Sequence, residues 1–324
     1  MSFRDILRRR LGIGGPGQRK PRRTTVASNG QLKIEESLLR RLERLSLATR
    51  RTLSGSPNSG EHPSRQRLPA SIFSEHRPYS PGDDYRHVDW NAYARHEQIV
   101  VKLGEAEQDI NVHVLIDHSR SMAWGSPAKL VAAQQLAAAI GYIALAHSDR
   151  VQITSFGAGA TASFGPAQGK GRAIEMLRFI GSIRAAERTE FTRTLQAYAR
   201  QHERGGLLAI CSDLLTTPAE SLDDLLRAFA PPRWQILVLH TLDPRELVPV
   251  RGGAVEVEDA ETGERVPLTL DEATLAAYTR NVADWQAQIA SACARRGATY
   301  ARISTDWPLE KAVVPYLRLR RIVR

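Results

Sequence analysis

Apolar and polar positions along the last two-thirds of the chain follow two alternating periods. Short apolar runs at 110–116, 151–156, 207–211 and 235–240 have the length and spacing of buried strands. Between them, 129–147 is rich in Ala and Leu, 172–183 follows a Gly-Lys-Gly break, and 192–202 and 218–229 carry apolar residues at helical intervals. Strands that alternate with helices predict a mostly parallel sheet covered on both faces. Further on, 255–268 alternates around Glu261-Thr-Gly-Glu264, which predicts a β-hairpin appended to that sheet. A long helix over 270–296, a strand over 299–303 and a last helix from Pro308 complete the pattern, with no internal repeat and no heptad array.

The first third reads differently. Phe3, Ile6, Leu7 and Leu11 fall near helical spacing with arginines between them, the pattern of a basic amphipathic helix that can rest on a membrane surface. Gly14, Gly15, Pro16 and Gly17 end it, and the chain to Gly30 reads as linker. Leu38, Leu42 and Leu45 then mark a helix with one apolar face, predicted to dock on the main domain. Residues 54–67 have a loop composition, and 77–95 is polar and aromatic with neither period. Such a segment is ordered by side-chain pairing, and Arg77, Asp83, Asp84, Arg86, Asp89 and Arg95 supply both signs. The expectation is that these residues, with Tyr79 and Gly82, pin an irregular chain to the sheet while Trp90 packs beneath; a docking surface is the alternative. The organisation expected is a basic tail over 1–30, a helical and irregular extension over 31–106, and an α/β domain over 107–324 with its hairpin near 250–270.

Composition narrows the function classes. At 324 residues and 42% hydrophobic content, the chain can fill one large core. No stretch approaches the ~18 to 20 apolar residues of a membrane span, and the N-terminus lacks the pattern of a signal peptide, so the expected location is the cytoplasm, with peripheral membrane attachment through the tail as a variant. Cys211 and Cys293 lack metal or redox company and read as packing residues. The net charge of +10 invites nucleic acid or anionic lipid as a partner, but Arg8-Arg9-Arg10 and Arg19-Lys20-Pro21-Arg22-Arg23 concentrate charge in the tail, where plain solvation serves equally.

The chemistry lies at the strand ends. In an open parallel sheet, ligands collect at the carboxyl ends of the strands. Asp117-x-Ser119-x-Ser121 directly follows one predicted strand, Ser212-Asp213 directly follows another, and Thr189 opens a helix between them, with Thr192 and Thr194 close by. Carboxylates with hydroxyls, and no Cys or His cluster, suit a hard divalent cation: Mg²⁺, with Mn²⁺ or Ca²⁺ as substitutes. An Asp or Glu from a partner would complete its shell. Simple helix capping is the competing account of Asp-x-Ser-x-Ser. Asp117, His118 and Ser119 are consecutive and cannot bond one to the next as a hydrolytic triad requires. No Gly-x-Ser-x-Gly elbow is present, and 165–171 lacks phosphate-loop spacing. A metal-dependent hydrolase would also need a general base, and none has the right company. His87, His96 and His113 lack ligand spacing.

Taken together, Tyr79-Ser-Pro-Gly-Asp-Asp84, Val88-Asp-Trp90, Ala94-Arg95, Ile116-Asp-His-Ser-Arg-Ser-Met122 and Cys211-Ser-Asp213 resemble the bacterial family called domain of unknown function 58, over roughly residue 31 to the C-terminus. The resemblance implies a doubly wound sheet domain of von Willebrand factor A type, not an enzyme, with a metal-ion-dependent adhesion site. Transferred by position, that site uses Asp117, Ser119 and Ser121 from the first loop, Thr189 from the second and Asp213 from the third. It also implies a protein-binding adaptor or co-chaperone that works with a MoxR-type AAA+ ATPase or its client. Two features depart from the family's pattern: a basic segment stands where many relatives carry a pair of transmembrane helices, and His118 and Arg120 put positive charge beside the ion.

Overall fold

The computed structural model describes residues 35–48, 62–81, 85, 88–157, 162–185, 191–202, 204–215, 219–248, 253–258 and 265–324. Helix α1 (Glu36–Leu42), strand β1 (His62–Pro78), α2 (Trp90–His96) and β2 (Val100–Gln108) precede the main sheet. There follow β3 (Asn111–Asp117), α3 (Lys129–Ala146), β4 (Arg150–Phe156), β5 (Ala162–Gln168), α4 (Ala173–Ser182), α5 (Phe191–Gln201) and β6 (Gly206–Ser212). The remainder is α6 (Ala219–Arg227), β7 (Trp234–Leu242), α7 (Pro244–Leu247), β8 (Gly253–Glu258), β9 (Arg265–Leu270), α8 (Glu272–Arg295), β10 (Thr299–Ser304) and α9 (Val314–Leu319).

Six strands form the central sheet in the order β10-β7-β6-β3-β4-β5, all parallel except the edge strand β5. The chain enters at β3, winds outward through β4 and β5, then returns to the other side of β3 to lay down β6, β7 and β10. The direction of winding therefore reverses between β3 and β6, which opens a crevice at their carboxyl ends.

Strict alternation in the strands divides the interior into two cores. Val112, Val114 and Ile116 of β3 face one side with Leu207, Ala209 and Cys211 of β6, against α1, α3, α4 and the C-terminal Leu309, Val313 and Leu317. Leu115, Leu208 and Ile210 face the other, against Leu195 of α5, Leu222, Leu225 and Leu226 of α6, and Trp285 and Ile289 of α8. Both faces of the sheet are buried, hence the near-continuous apolar strands. Helix α3 is apolar all round because it is itself part of the core; among the described residues it alone is long and apolar enough to cross a membrane, and most of it is buried.

The predicted doubly wound α/β sheet is present, with helix and strand limits within a few residues of expectation. Three expectations need correction. The hairpin of β8 and β9 forms its own two-stranded sheet and is not hydrogen-bonded to the six-stranded one. Strands β1 and β2 pair antiparallel where a loop and an irregular segment were expected, with register shifts between Pro63 and Arg67 and between Leu68 and Glu75. Those breaks disrupt the period of 2 that would have revealed a strand. Trp90 does not pack beneath the segment: it is 59% exposed at the start of α2, edge-on to the exposed ring of Tyr93. Asp89 rather than Trp90 is the buried anchor, capping α2 at the amides of Asn91 and Ala92 and receiving His76 at 2.8 Å. Arg77 reaches Ser80 Oγ, Tyr79 is partly exposed, and Arg95 donates to the Asn91 carbonyl within the same helix. The tail over 1–30, with its amphipathic segment, and Gly82, Asp83, Asp84, Arg86, His87 and Thr189 lie outside the described residues.

Candidate metal centre

Strand β3 ends on Asp117, and the chain turns at once into a short 3-10 segment, Arg120–Ala123. The turn is built by Asp117 itself, whose Oδ1 accepts the Ser119 amide at 2.9 Å. That fold-back brings the Ser119 and Ser121 hydroxyls within 3.0 Å of each other, both buried. From the adjacent strand, Ser212 Oγ donates to Asp117 Oδ2 at 2.6 Å and receives the Leu214 amide at 3.0 Å. Asp213, one residue on, accepts the Leu215 amide on Oδ1 at 3.1 Å and a hydrogen bond from Ser121. Four of the five residues predicted for a metal site, Asp117, Ser119, Ser121 and Asp213, thus meet at the carboxyl ends of β3 and β6.

Both carboxylates are almost fully buried. Burial first, and the charge of Asp213 second, push the Asp117 carboxyl up to about 7. For Asp213, burial acts upward, but the Lys129 ammonium outweighs it and holds the carboxyl below its ordinary value. His118, between the two site residues, turns its ring away from them to lie on Gly157, where an added methyl would sit 2.5 Å from Nε2. Burial pushes that ring's pKa down, so it brings no positive charge to the site, and Arg120 is exposed.

Two participants were missed from the sequence. Lys129, the first residue of α3, is fully buried, and its Nζ meets Asp213 Oδ2 at 2.7 Å and Glu246 Oε1 at 2.5 Å. Burial alone would lower its pKa; the two carboxylates reverse that and raise it, so the ammonium stays charged. Glu246 belongs to a capping box at α7, in which Asp243 accepts the Arg245 amide and Glu246 Oε2 accepts the Asp243 amide. Asp243 also receives the Ser126 amide at 3.2 Å and Thr305 Oγ1 at 3.3 Å, which ties the loops after β3, β7 and β10 into one floor. His240 of β7 completes it: a carbonyl can only accept, so Nε2 donates to the Asp213 oxygen, and Nδ1 accepts from Tyr300. Signals for both missed residues exist in hindsight. Lys129 is the only charge in the 18 residues of α3, and Asp-Pro-Arg-Glu after a strand spells a capping box on the same sheet edge.

The profile of the family described as protein of unknown function DUF58 matches residues 75–288. The chain belongs to the DUF58 family. Uncharacterised proteins of Mycobacterium bovis and Mycobacterium tuberculosis are each 28% identical over 285 residues, which cover 86% of this chain and 89% of theirs. Among solved structures, the conserved hypothetical protein BatB from Bacteroides thetaiotaomicron aligns with a TM-score of 0.38 at 18% identity, over 65% of this chain and 98% of its own. An aerotolerance-related membrane protein from Bacteroides fragilis aligns with a TM-score of 0.36 at 16% identity, over 65% and 99%. The DUF58 match takes in β3, β6 and α7, and so Asp117, Ser119, Ser121, Lys129, Asp213 and Glu246.

The donor set suits a hard divalent cation. Asp117, Asp213 and Glu246 against Lys129 leave the group formally at −2 when all are ionised. The candidate ligands are oxygens, two carboxylates and two hydroxyls, with the Lys129 ammonium beside them; among the described residues no group of three or more His, Cys, Asp and Glu is placed to hold a metal, here or elsewhere.

Proposed function

We propose that this DUF58 protein is a non-enzymatic protein-binding module of von Willebrand factor A type, whose adhesion site takes a divalent cation, Mg²⁺ or in its place Mn²⁺ or Ca²⁺. One observation carries the reading: two buried carboxylates and two hydroxyls from separate loops converge at the switch point of a doubly wound sheet, the place where such sheets bind ligands. Ser119 and Ser121 would hold the ion, Thr189 would join them from its loop, and Asp117 and Asp213 would supply the compensating charge. A bound ion supplies an electrophilic coordination position that a carboxylate can fill. The protein's own groups do the rest. The Asp117 to Ser119 hydrogen bond fixes the loop before the ion arrives, Ser212 keeps Asp117 oriented, and burial makes the ionised form of Asp117 costly without a divalent cation beside it.

The partner on this reading presents an acidic side chain to the site. The family resemblance points to a MoxR-type AAA+ ATPase or its client, with this chain as adaptor. Thermal unfolding in EDTA and in millimolar Mg²⁺ or Mn²⁺ tests the first step. Wild type is expected to gain a few degrees with metal, since a ligand at 100 times its Kd adds about 2.7 kcal/mol. Asp117→Ala with Ser121→Ala is expected to gain nothing. Equal responses in the two proteins would sink the reading and leave the turn as a capped strand end; steep salt dependence of binding to DNA or anionic vesicles would then favour the basic tail.

A further inference from the structure

Lys129 is placed where ordinary helix energetics would not put it. It opens α3, the positive end of the helix dipole, with no side-chain cap from Ala128 and with no solvent exposure. A buried ammonium is tolerated only with close counter-charges. Here these come from two different loops, Asp213 after β6 and Glu246 in α7 after β7. The ammonium sits on one oxygen of Asp213, the carboxylate that also receives Ser121, so it shares that side chain with the candidate ion site.

We propose that Lys129 is the resident cation of this site: it holds Asp213 in position, competes with a divalent ion for that carboxylate, and is itself held back by Glu246. The inference rests on the adhesion-site reading and concerns its regulation. Lys129 and Glu246 then have opposite effects. With both present, the ammonium is divided between two carboxylates, and Asp213 is left partly available to the ion. Removing Glu246's charge gives Asp213 the whole ammonium; removing the ammonium frees Asp213. Because Glu246 is fixed by the Asp243 capping box, a partner that displaces α7 would draw Glu246 off Lys129 and weaken the ion, which couples loading to the loop after β7.

Calorimetric titration of Mn²⁺ into the full chain, with melting curves in EDTA, separates this from simple packing. Lys129→Met is expected to melt lower in EDTA, having lost the partner of two buried carboxylates, yet to bind Mn²⁺ at least tenfold more tightly than wild type. Glu246→Gln keeps an acceptor for the Asp243 amide and is expected to bind several-fold more weakly. The double variant Lys129→Met with Glu246→Gln recovers melting temperature in EDTA and keeps the tighter binding, which covers the case in which Lys129→Met alone does not fold. A purely structural lysine predicts looser or unchanged Mn²⁺ binding in the double variant, and that result overturns the proposal. Absence of Mn²⁺ binding in wild type and double variant alike overturns the adhesion-site reading and this inference with it; binding by wild type with no gain in the double variant overturns this inference alone.

Discussion

At the scale of single residues, His113 shows how burial converts an ordinary side chain into a pH-dependent term. It lies on β3 on the α5 side of the sheet, donates to the Gly205 carbonyl, and shares a 2.8 Å hydrogen bond with Tyr198 through Nδ1. Burial first, then the neighbouring His202, push its pKa down to about 3. Above the ordinary value near 6.5 the ring is neutral in both folded and unfolded chains and contributes nothing to pH dependence. As pH falls below that, only the unfolded chain takes up the proton, so stability is lost progressively down to about 3. The loss from this group reaches roughly 2 kcal/mol at pH 5. His113→Gln retains a donor and an acceptor, and is expected to flatten the decline between pH 8 and pH 5 by about that amount in urea unfolding; parallel declines in the two proteins would refute the assignment. The sequence showed His113 only as a histidine without ligand spacing, whereas the convergence of Asp117, Ser119, Ser121 and Asp213 was legible because they lie at or just after the carboxyl ends of two strands. Lys129 left only one local trace, as the lone charge of an apolar helix; its partners lie 84 and 117 positions away, so nothing near it in the chain shows that it is buried between them.

Elements were legible wherever one period held. Strands β3, β6 and β7 read as apolar runs because both faces are buried, and α3 was evident from its Ala and Leu content although its amphipathic pattern is absent. The edge strand β5 escaped notice: Ala162–Gln168 is short, contains Gly165 and Pro166, and buries only Phe164 and Ala167. Close packing between elements can also hang on a glycine that no periodicity marks. Gly206 begins β6 at φ +144°, and a Cβ there would lie 2.1 Å from the Asn111 carbonyl oxygen of β3, which is backbone and cannot move aside. Gly169, after β5, has φ +82° with open space around it. Gly206→Ala is therefore expected to cost on the order of 2–4 kcal/mol by forcing β3 and β6 apart, and Gly169→Ala about 1–2 kcal/mol of backbone strain alone. Denaturant midpoints of the two variants give the comparison; equal losses would show that β6 relaxes more freely than its packing suggests. Since Asp117 and Asp213 sit at the far ends of the same two strands, Gly206→Ala also tests how far strand spacing is transmitted to the site.

For the molecule as a whole, the extension ahead of the sheet is part of the domain's core. Leu42, Leu45 and Leu47 are buried in the same cluster as Ile322 and Val323. The two segments pair as a short antiparallel bridge: Ser46 and Arg324 exchange both backbone hydrogen bonds, and Ala48 donates to the Ile322 carbonyl. Glu43 accepts from Tyr142 of α3 and pairs with Lys170, and Arg41 pairs with Glu310. A docking helix was expected from Leu38, Leu42 and Leu45, but its anchorage on the last residues of the chain could not be, because backbone pairing between distant segments leaves no mark on either. The consequence is that segment 35–48 should be released as a unit when the bridge fails. Val323→Asp places a charge at a position 2% exposed and is expected to cost several kcal/mol in that sub-region. Native-state trypsin digestion should then cut at Arg40, Arg41 and Arg44 much faster than in wild type. The β3 and β6 loops are held by the sheet and not by this bridge, so the melting-temperature response to Mn²⁺ should persist in Val323→Asp. Loss of that response together with faster cleavage would mean that segment 35–48 and the site unfold as one cooperative unit; faster cleavage with the response intact places them in separate ones.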